Sequence, residues 1–451
     1  MQPDRSAICD RGFVALIVAL SLTYLGAFLY FVQATVIREP FSDMLDYIDD
    51  YLAFRRNGDF WTYLWSPHTQ HRLIWTRLVA AIDIDLFNGI TYPFVVTSTA
   101  CLVMVALLMQ REAAKASTSP VAKLIGVLSA VMLVFTANNA VDCSVAIESI
   151  YPHAVVFAVL SLVLFNDSEP SAGWAIAKWG AALLAAIGAA FGNATGLVVW
   201  PILVWMAWRK KLDWQWLLAT AGIGAAFLAI YAHGLPIPQS TTEATSGEGE
   251  FYAPAHLYKI AIYLLSYMGL PWTRAPALAD VGRAIGAILL VVSGFVVVQR
   301  GIVRGPADRL ERLSIGLIIF SLGTSALATL GRVDEDFAAK VPVRYSLFLT
   351  PLHIGLLFLG LPWLNRCWHD RSRRRLCQVG ILVVFALLLV QQIEIGRAAI
   401  RTTDTIRATI DRFLSGERQP EMVSLLGNLD NAQRIVNLTR EKKIYIVGRG
   451  P

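Results

Sequence analysis

Eleven apolar segments punctuate the chain, and most are close to the length that a helix needs to cross a bilayer. A membrane-spanning α-helix takes about 20 predominantly apolar residues. Only 16% of the residues are charged and 56% are hydrophobic, which excludes a large soluble enzyme. The sequence therefore predicts an all-α polytopic membrane protein with about eleven transmembrane helices. The predicted spans are 12–33, 92–110, 121–136, 153–165, 174–191, 195–208, 214–233, 279–298, 313–330, 346–364 and 379–392.

The positions of Lys and Arg predict the orientation of these spans. Basic clusters follow residues 110, 208, 298 and 364, in short loops of the kind that stay in the cytoplasm. This orientation puts the N-terminus in the cytoplasm and a long first loop, 34–90, on the outer side. It also accounts for the net charge of +6 without a nucleic-acid partner. Two further apolar stretches, 73–87 and 257–270, would invert the later loops if either crossed alone, so we interpret them as interfacial or re-entrant helices along the outer face.

Two domains are predicted from the change in composition near the C-terminus. Residues 1–393 form the transmembrane domain, and residues 394–451 form a separate tail on the outer side. Apolar residues at helical spacing predict a helix over 394–414. No catalytic pattern is visible in the tail sequence, so we interpret the tail as an appendage that packs on the surface.

The first outer loop is acidic and aromatic, unlike a simple connector. Asp43, Asp46, Asp49 and Asp50 are spaced three or four residues apart, so on a helix they share one face and repel one another. Crowding of this kind raises the pKa of a carboxyl group, and carboxylates with a shifted pKa serve as general bases. The alternative is a set of solvated loop charges.

A second cluster in the same loop contains His68, His71 and Arg72. Pro67 predicts a helix start that would put both histidines on one side. Such a cluster fits phosphate or pyrophosphate recognition, because helix starts and guanidinium groups both bind anions. A zinc site and a purely structural, hydrogen-bonded loop are the alternatives.

Arg332, Arg344 and Tyr345 border the last predicted outer loop. Arginine on the outer side runs against the orientation bias, so these two cations need an explanation. One is the binding of a lipid phosphate or diphosphate; the other is headgroup anchoring or pairing with Asp334 and Asp336. Three weaker candidates lie at a similar depth, namely Glu148, His153 and Asn193.

Three motifs, PFSDMLDY, SPHTQHRLIWTR and GR followed by RYS, make residues 12–393 resemble integral membrane glycosyltransferases of the GT-C class. The resemblance implies a GT-C-like helix bundle in a bacterial inner membrane, active on the outer, periplasmic face. It implies a polyprenyl-phosphate-linked sugar donor, a lipid or glycan acceptor and inversion at the anomeric carbon. Asp43 would deprotonate the acceptor hydroxyl, and Asp46 would be a second carboxylate or a contact to a divalent metal ion. Similar proteins often carry an Asn-Glu pair between the two histidines, where this chain has Thr69-Gln70.

Two other function classes remain open from the sequence. A flippase or transporter usually keeps ionisable residues near the middle of its spans and often has internal repeats. Here the spans are nearly free of such residues and no repeat is visible, which favours chemistry at the interface. A non-catalytic protein of envelope assembly is the third possibility.

Overall fold

The computed structural model describes residues 5–116, 118–168, 175–235, 254–272, 278–336 and 341–445, and these are almost entirely helical. Within these ranges, strand-like pairing is confined to one isolated bridge, His68 with His71. The first half of the chain contains α1 (Arg5–Thr35), α2 (Met44–Asn57), α3 (Phe60–Trp65), α4 (Ile74–Phe87), α5 (Tyr92–Ala114), α6 (Pro120–Val134), α7 (Ala140–Ser144), α8 (Ile150–Asp167) and α9 (Ala175–Gly192). The second half contains α10 (Val199–Arg209), α11 (Trp214–Ala232), α12 (Pro254–Gly269), α13 (Ala279–Val296), α14 (Arg309–Asp336), α15 (Thr350–His369), α16 (Arg371–Leu414), α17 (Val423–Leu426) and α18 (Leu429–Lys442).

Nine helices in the described part of the chain are long and apolar enough to cross a membrane, so the polytopic helical class is confirmed. Two shorter apolar helices, Pro120–Val134 and Ala194–Arg209, lie at the other two predicted positions. Their length leaves the total of eleven spans a prediction. The span beginning at α8 is the most buried of the nine and occupies the centre of the bundle.

Small residues allow α9 to approach α8 closely. Ala182, Ala186 and Ala189 recur on the buried face of α9, and a side chain at Gly192 would collide with the backbone of Ala154. Close backbone approach through small residues is the usual way in which helices pack inside a bilayer. Leu184, on the opposite face, is exposed.

Glycines also fix the direction of α12. Gly269 packs against the carbonyl of Gly282, and Gly286 packs against the carbonyl of Leu265, so α12 runs antiparallel to α13. α12 is therefore aligned with a candidate membrane span along its length. This packing favours the re-entrant interpretation of residues 257–270 over a helix that lies flat along the outer face.

The bundle has two chemically different ends. We call the end that carries residues 34–90 the loop end. At the opposite end, termini of α5, α8 and α14 meet in ion pairs, with Arg309 to Glu112 at 2.9 Å and Arg111 to Asp167 at 2.5 Å. The basic helix termini that predict the orientation are thus brought together, and we call this the basic end.

The first loop folds as three helices around a buried cation. The guanidinium of Arg77 in α4 donates to the carbonyl of Tyr63 at 2.7 Å and to the Asp50 carboxylate at 2.8 Å. It therefore ties α4 to α3 and α2. α4 covers the predicted stretch 73–87 and is not among the nine candidate spans.

The tail is continuous with the last predicted span. α16 runs without interruption for 44 residues from Arg371 to Leu414, across the predicted domain boundary at 394. α17 and α18 then turn back onto the first loop, where the backbone N–H of Tyr445 donates to the carbonyl of Asn88 at 2.9 Å. The predicted helix at 394–414 is present, and the final residues of the tail lie outside the described part of the chain.

Candidate functional site

The two histidines of the first loop lie on a tight hairpin. The backbone N–H of His68 donates to the carbonyl of His71 at 2.8 Å, and the reverse bond is 2.9 Å. Thr69 has a φ of 51°, which a helix does not allow. The predicted helix start at Pro67 is therefore wrong, since α4 begins only at Ile74. Residues that face each other across such a bridge project to the same side, so the two rings still share a face.

Asp43 and Tyr47 both contact this hairpin. Oδ2 of Asp43 lies 3.5 Å from Nε2 of His68, and the ring of Tyr47 stacks on the His68 ring with centroids 5.0 Å apart. Asp43 is the N-cap of α2, yet its carboxylate makes no capping hydrogen bond to the helix. The carboxylate of an N-cap aspartate normally accepts a hydrogen bond from a backbone N–H group in the first turn of the helix. The Asp43 carboxylate is instead directed towards His68 and is half exposed.

The structure separates the four aspartates into two pairs. Asp49 forms a two-pronged ion pair with Arg434 of the tail at 2.6 and 3.0 Å, and Asp50 pairs with Arg77. Asp43 and Asp46 remain beside His68, with one ligand atom of each of the three residues within 4.8 Å of the others. Asp49 and Asp50 therefore hold elements of the structure together, whereas Asp43 and Asp46 belong to the candidate site.

Asp43 and Asp46 differ in the direction of their pKa shifts. The contact with His68 is the largest cause that lowers the pKa of Asp43 below its ordinary value; partial burial opposes it, and the charges of His68 and Arg344 add to it. Loss of hydration is the main cause that raises the pKa of Asp46, and the neighbouring carboxylates add to this shift. The crowding expected from the sequence is therefore a secondary cause, and it acts on Asp46.

Arg344 is held next to the site by an acidic partner from another helix. Its guanidinium lies 3.2 Å from the Glu148 carboxylate and 5.7 Å from the centre of the Tyr345 ring. Tyr345 is buried and stacks on Tyr267 with centroids 5.6 Å apart. Tyr345 thus forms part of the packed wall, whereas Arg344 is only partly covered. The sequence did not predict the pairing of Arg344 with Glu148. The partners that it suggested were Asp334 and Asp336, and their side chains lie outside the described part of the structure.

His71 faces Arg332. Burial, with the positive charges of His68 and Arg332, lowers the pKa of His71 to about 4, so its ring is neutral at pH 7. Its Nδ1 is buried and has no hydrogen-bond partner within the described residues. A neutral ring with an unsatisfied nitrogen is suited to bind a hydroxyl group or a phosphate oxygen.

Arg72 makes structural contacts that the sequence did not predict. Its guanidinium is buried and donates to the carbonyls of Tyr231, Trp65 and His233. Two of these carbonyls lie at the C-terminal end of α11, where the last turn leaves carbonyls without helical partners. This geometry favours a structural role for Arg72, so we do not include it in the proposed site.

The weaker candidates also have local roles. The ring Nδ1 of His153 bonds to the carbonyl of Ser149 at 2.6 Å, and the side chain of Asn193 accepts from the backbone N–H of Thr195 at 3.0 Å. Conversely, the sequence reasoning did not select Tyr47 or Arg77. The only signal for Arg77 was a cation inside an apolar stretch.

Asp43, Asp46 and His68 form the set that could hold a metal ion. Two carboxylates and one imidazole suit divalent ions that accept oxygen and nitrogen ligands. The nearby charge of Arg344 opposes cation binding at the same place. No family model, curated protein or solved structure matches the chain. The likeness to GT-C transferases therefore rests on the short sequence motifs.

Proposed function

We propose that the chain is an integral membrane glycosyltransferase of the GT-C type. It transfers a sugar from a polyprenyl-phosphate donor to an acceptor hydroxyl, with inversion, at the loop end of the bundle. In this proposal about eleven helices cross a bacterial inner membrane, the basic end faces the cytoplasm with the N-terminus, and the loop end and tail face the periplasm. The positive-inside rule supports this orientation.

The observation that carries the proposal is the contact between Asp43 and His68, which the charge of Arg344 also reaches. An ionised, half-exposed carboxylate lies 3.5 Å from one histidine, and the charge of a partly covered arginine reaches it. Arg344 begins a candidate membrane span, and its partner Glu148 begins another. A potential base thus lies within electrostatic reach of a cation at the start of a candidate membrane span, where a lipid-linked substrate would present its head group.

The chemistry follows from these two groups. The acceptor oxygen attacks the anomeric carbon while its proton passes to a carboxylate oxygen of Asp43. The bond between the anomeric carbon and the phosphate oxygen breaks, and the polyprenyl phosphate leaves with the electron pair. Arg344 and Arg332 stabilise the negative charge on the leaving phosphate. Because phosphate is a good leaving group, the protein mainly orients the reactants.

His68 and His71 have supporting roles in this mechanism. His68 holds Asp43 in its ionised form, and Tyr47 holds the His68 ring by stacking. The free ring nitrogen of His71 binds a hydroxyl of the sugar or an oxygen of the phosphate. Asp46 has a raised pKa and stands ready either to hold a proton or to join His68 at a metal ion.

Transfer of label from a panel of polyprenyl-phosphate sugars, in nanodiscs, tests the proposal. Asp43→Asn is expected to lower transfer by at least a hundredfold, within the range that a general base contributes. Asp280→Asn is the matched control, because Asp280 is an exposed acid at the start of α13. Full transfer by Asp43→Asn would refute the assignment of the base. Binding of the donor lipid without any turnover would refute the transferase and redirect the tests to lipid translocation.

A further inference from the structure

The residue before Asp43 is held by the C-terminal tail. The backbone N–H of Ser42 donates to the carbonyl of Leu425 at 3.1 Å. Ser42 has a φ of 51°, in the left-handed region that residues other than glycine rarely adopt. Such a conformation persists where the surroundings impose it. The tail thus contacts the backbone at the point that sets where α2 begins.

A charged pair makes a second connection, about two turns further along the chain, in α2. Both outer nitrogens of Arg434 bond to the two oxygens of Asp49, in the two-pronged geometry that gives arginine its directional specificity. Asn431 in turn accepts a hydrogen bond from Arg434 at 2.7 Å and fixes its orientation. On the other face of α18, Ile435 and Val436 are buried. The tail helix is therefore packed, and its arginine is aimed at α2.

The two ends of the first loop are held as well. Arg407 of α16 donates to the carbonyls of Ala34 and Val36, where the loop leaves α1. At the far end, Tyr445 bonds to Asn88 through its backbone, and its buried ring covers Gly89. A side chain at Gly89 would collide with that ring. The tail thus contacts the start, the middle and the end of the loop.

We infer that the tail, residues 394–445, is a clamp that positions Asp43 against His68. The inference rests on the proposed function for the role of Asp43, and it replaces the interpretation of the tail as an appendage. Arg434 and Tyr445 are the positioning residues, and neither one contacts the substrate. Misplacement of a reacting group by about 1 Å can cost about a hundredfold in rate, so a loosened clamp lowers turnover more than donor binding.

Hydrogen–deuterium exchange of the full-length protein in nanodiscs tests the clamp without any substrate. Arg434→Gln is expected to raise exchange in 41–57 by at least fivefold, and Tyr445→Ala to raise exchange in 86–91, where the Tyr445 ring packs. Arg418→Gln is the matched control, because Arg418 pairs with Asp430 inside the tail and should leave 41–57 unchanged. The charge swap Asp49→Arg with Arg434→Asp should restore slow exchange. Unchanged exchange at 41–57 in Arg434→Gln, or at 86–91 in Tyr445→Ala, would overturn the clamp.

Kinetics separates positioning from mere stability. Arg434→Gln is expected to lower kcat about tenfold with little change in the donor KM, and to move the acid limb of the pH profile upward as Asp43 loses its contact with His68. Faster exchange with unchanged kcat and pH profile would overturn the positioning role. If the wild-type protein transfers no sugar, the proposed function fails, and the exchange result still decides whether the tail clamps the loop.

Discussion

The Asp50 carboxylate accepts a hydrogen bond from Arg77 at 2.8 Å, and the Arg77 side chain is completely buried while that of Asp50 is 45% exposed. Arg77 therefore needs the ion pair more than Asp50 does, because water can solvate the Asp50 carboxylate but not the Arg77 guanidinium. Removal of Asp50 leaves a buried cation without its counter-charge, and this is the costly way to break such a pair.

Asp50→Asn is accordingly expected to destabilise the first loop by about 1–3 kcal/mol, less than the figure for a fully buried pair because Asp50 is partly solvated. Thermal unfolding in detergent, with exchange at α4 as a local probe, measures the effect. Asp280→Asn is the comparison, since the ion pair of Asp280 with Arg283 is exposed on both sides. Equal effects of the two substitutions would contradict the central role of Arg77.

The lowered pKa of Asp43 makes a prediction about acid tolerance. Transfer needs the ionised carboxylate, so the rate should stay constant on acidification until the pH reaches the lowered pKa, and fall below it. The same shift stabilises the folded state above the pKa that Asp43 has in the unfolded chain, and this contribution disappears as the pH falls through the folded value. His68→Gln removes the largest cause of the shift, so the acid limb of kcat/KM should move to higher pH. An unmoved limb would separate His68 from Asp43.

The Asp43, Asp46 and His68 set predicts a measurable affinity for Mn²⁺, which electron paramagnetic resonance detects directly. Asp46→Asn and His68→Gln should each weaken binding by tenfold or more, since each removes one ligand. Glu39→Gln is the control, because Glu39 belongs to the same loop but lines a different cavity, about 240 Å³ in volume, beside Arg38 and Tyr92. Affinity that survives both ligand substitutions would place any ion elsewhere.

Arg72 and Arg344 should differ in their effect on donor binding. Arg72→Gln removes the donor of three carbonyls and is expected to destabilise the protein by about 2–4 kcal/mol, with no change in the donor KM. Arg344→Gln should also lower stability, because it leaves the buried Glu148 carboxylate without its counter-charge, but it should in addition raise the donor KM, because the Arg344 guanidinium is partly exposed. Melting temperature and donor titration, measured on both variants, distinguish the two roles. A raised donor KM in a fully stable Arg72→Gln protein would return Arg72 to the site.

Sequence patterns located the helices well, because the length of an apolar segment depends on the bilayer alone. Asp43, His68, Arg344 and Glu148 were all selected from their residue types, and the structure pairs Asp43 with His68 and Arg344 with Glu148. The hairpin at His68 was missed because its turn requires a left-handed backbone at Thr69. Glycine is the usual residue in that conformation, so a threonine does not predict it.

Contacts between distant parts of the chain were beyond the sequence. Arg72 binds carbonyls more than 150 residues away, and Arg434 reaches Asp49 across most of the chain. Nothing local in the sequence encodes such partners. The tail was therefore interpreted from its composition, which does not reveal what it touches.

α16 has a mechanical consequence. At about 1.5 Å per residue, its 44 residues make one stiff rod of about 66 Å, from the basic end of the bundle to the tail helices that hold Ser42 and Asp49. A rod anchored at both ends transmits any tilt of its membrane portion to its far tip. Tilting is one way in which a helix longer than the bilayer is thick accommodates the mismatch. We therefore expect the length of the lipid chains to affect the position of Asp43. Turnover measured in bilayers of different thickness would detect this effect.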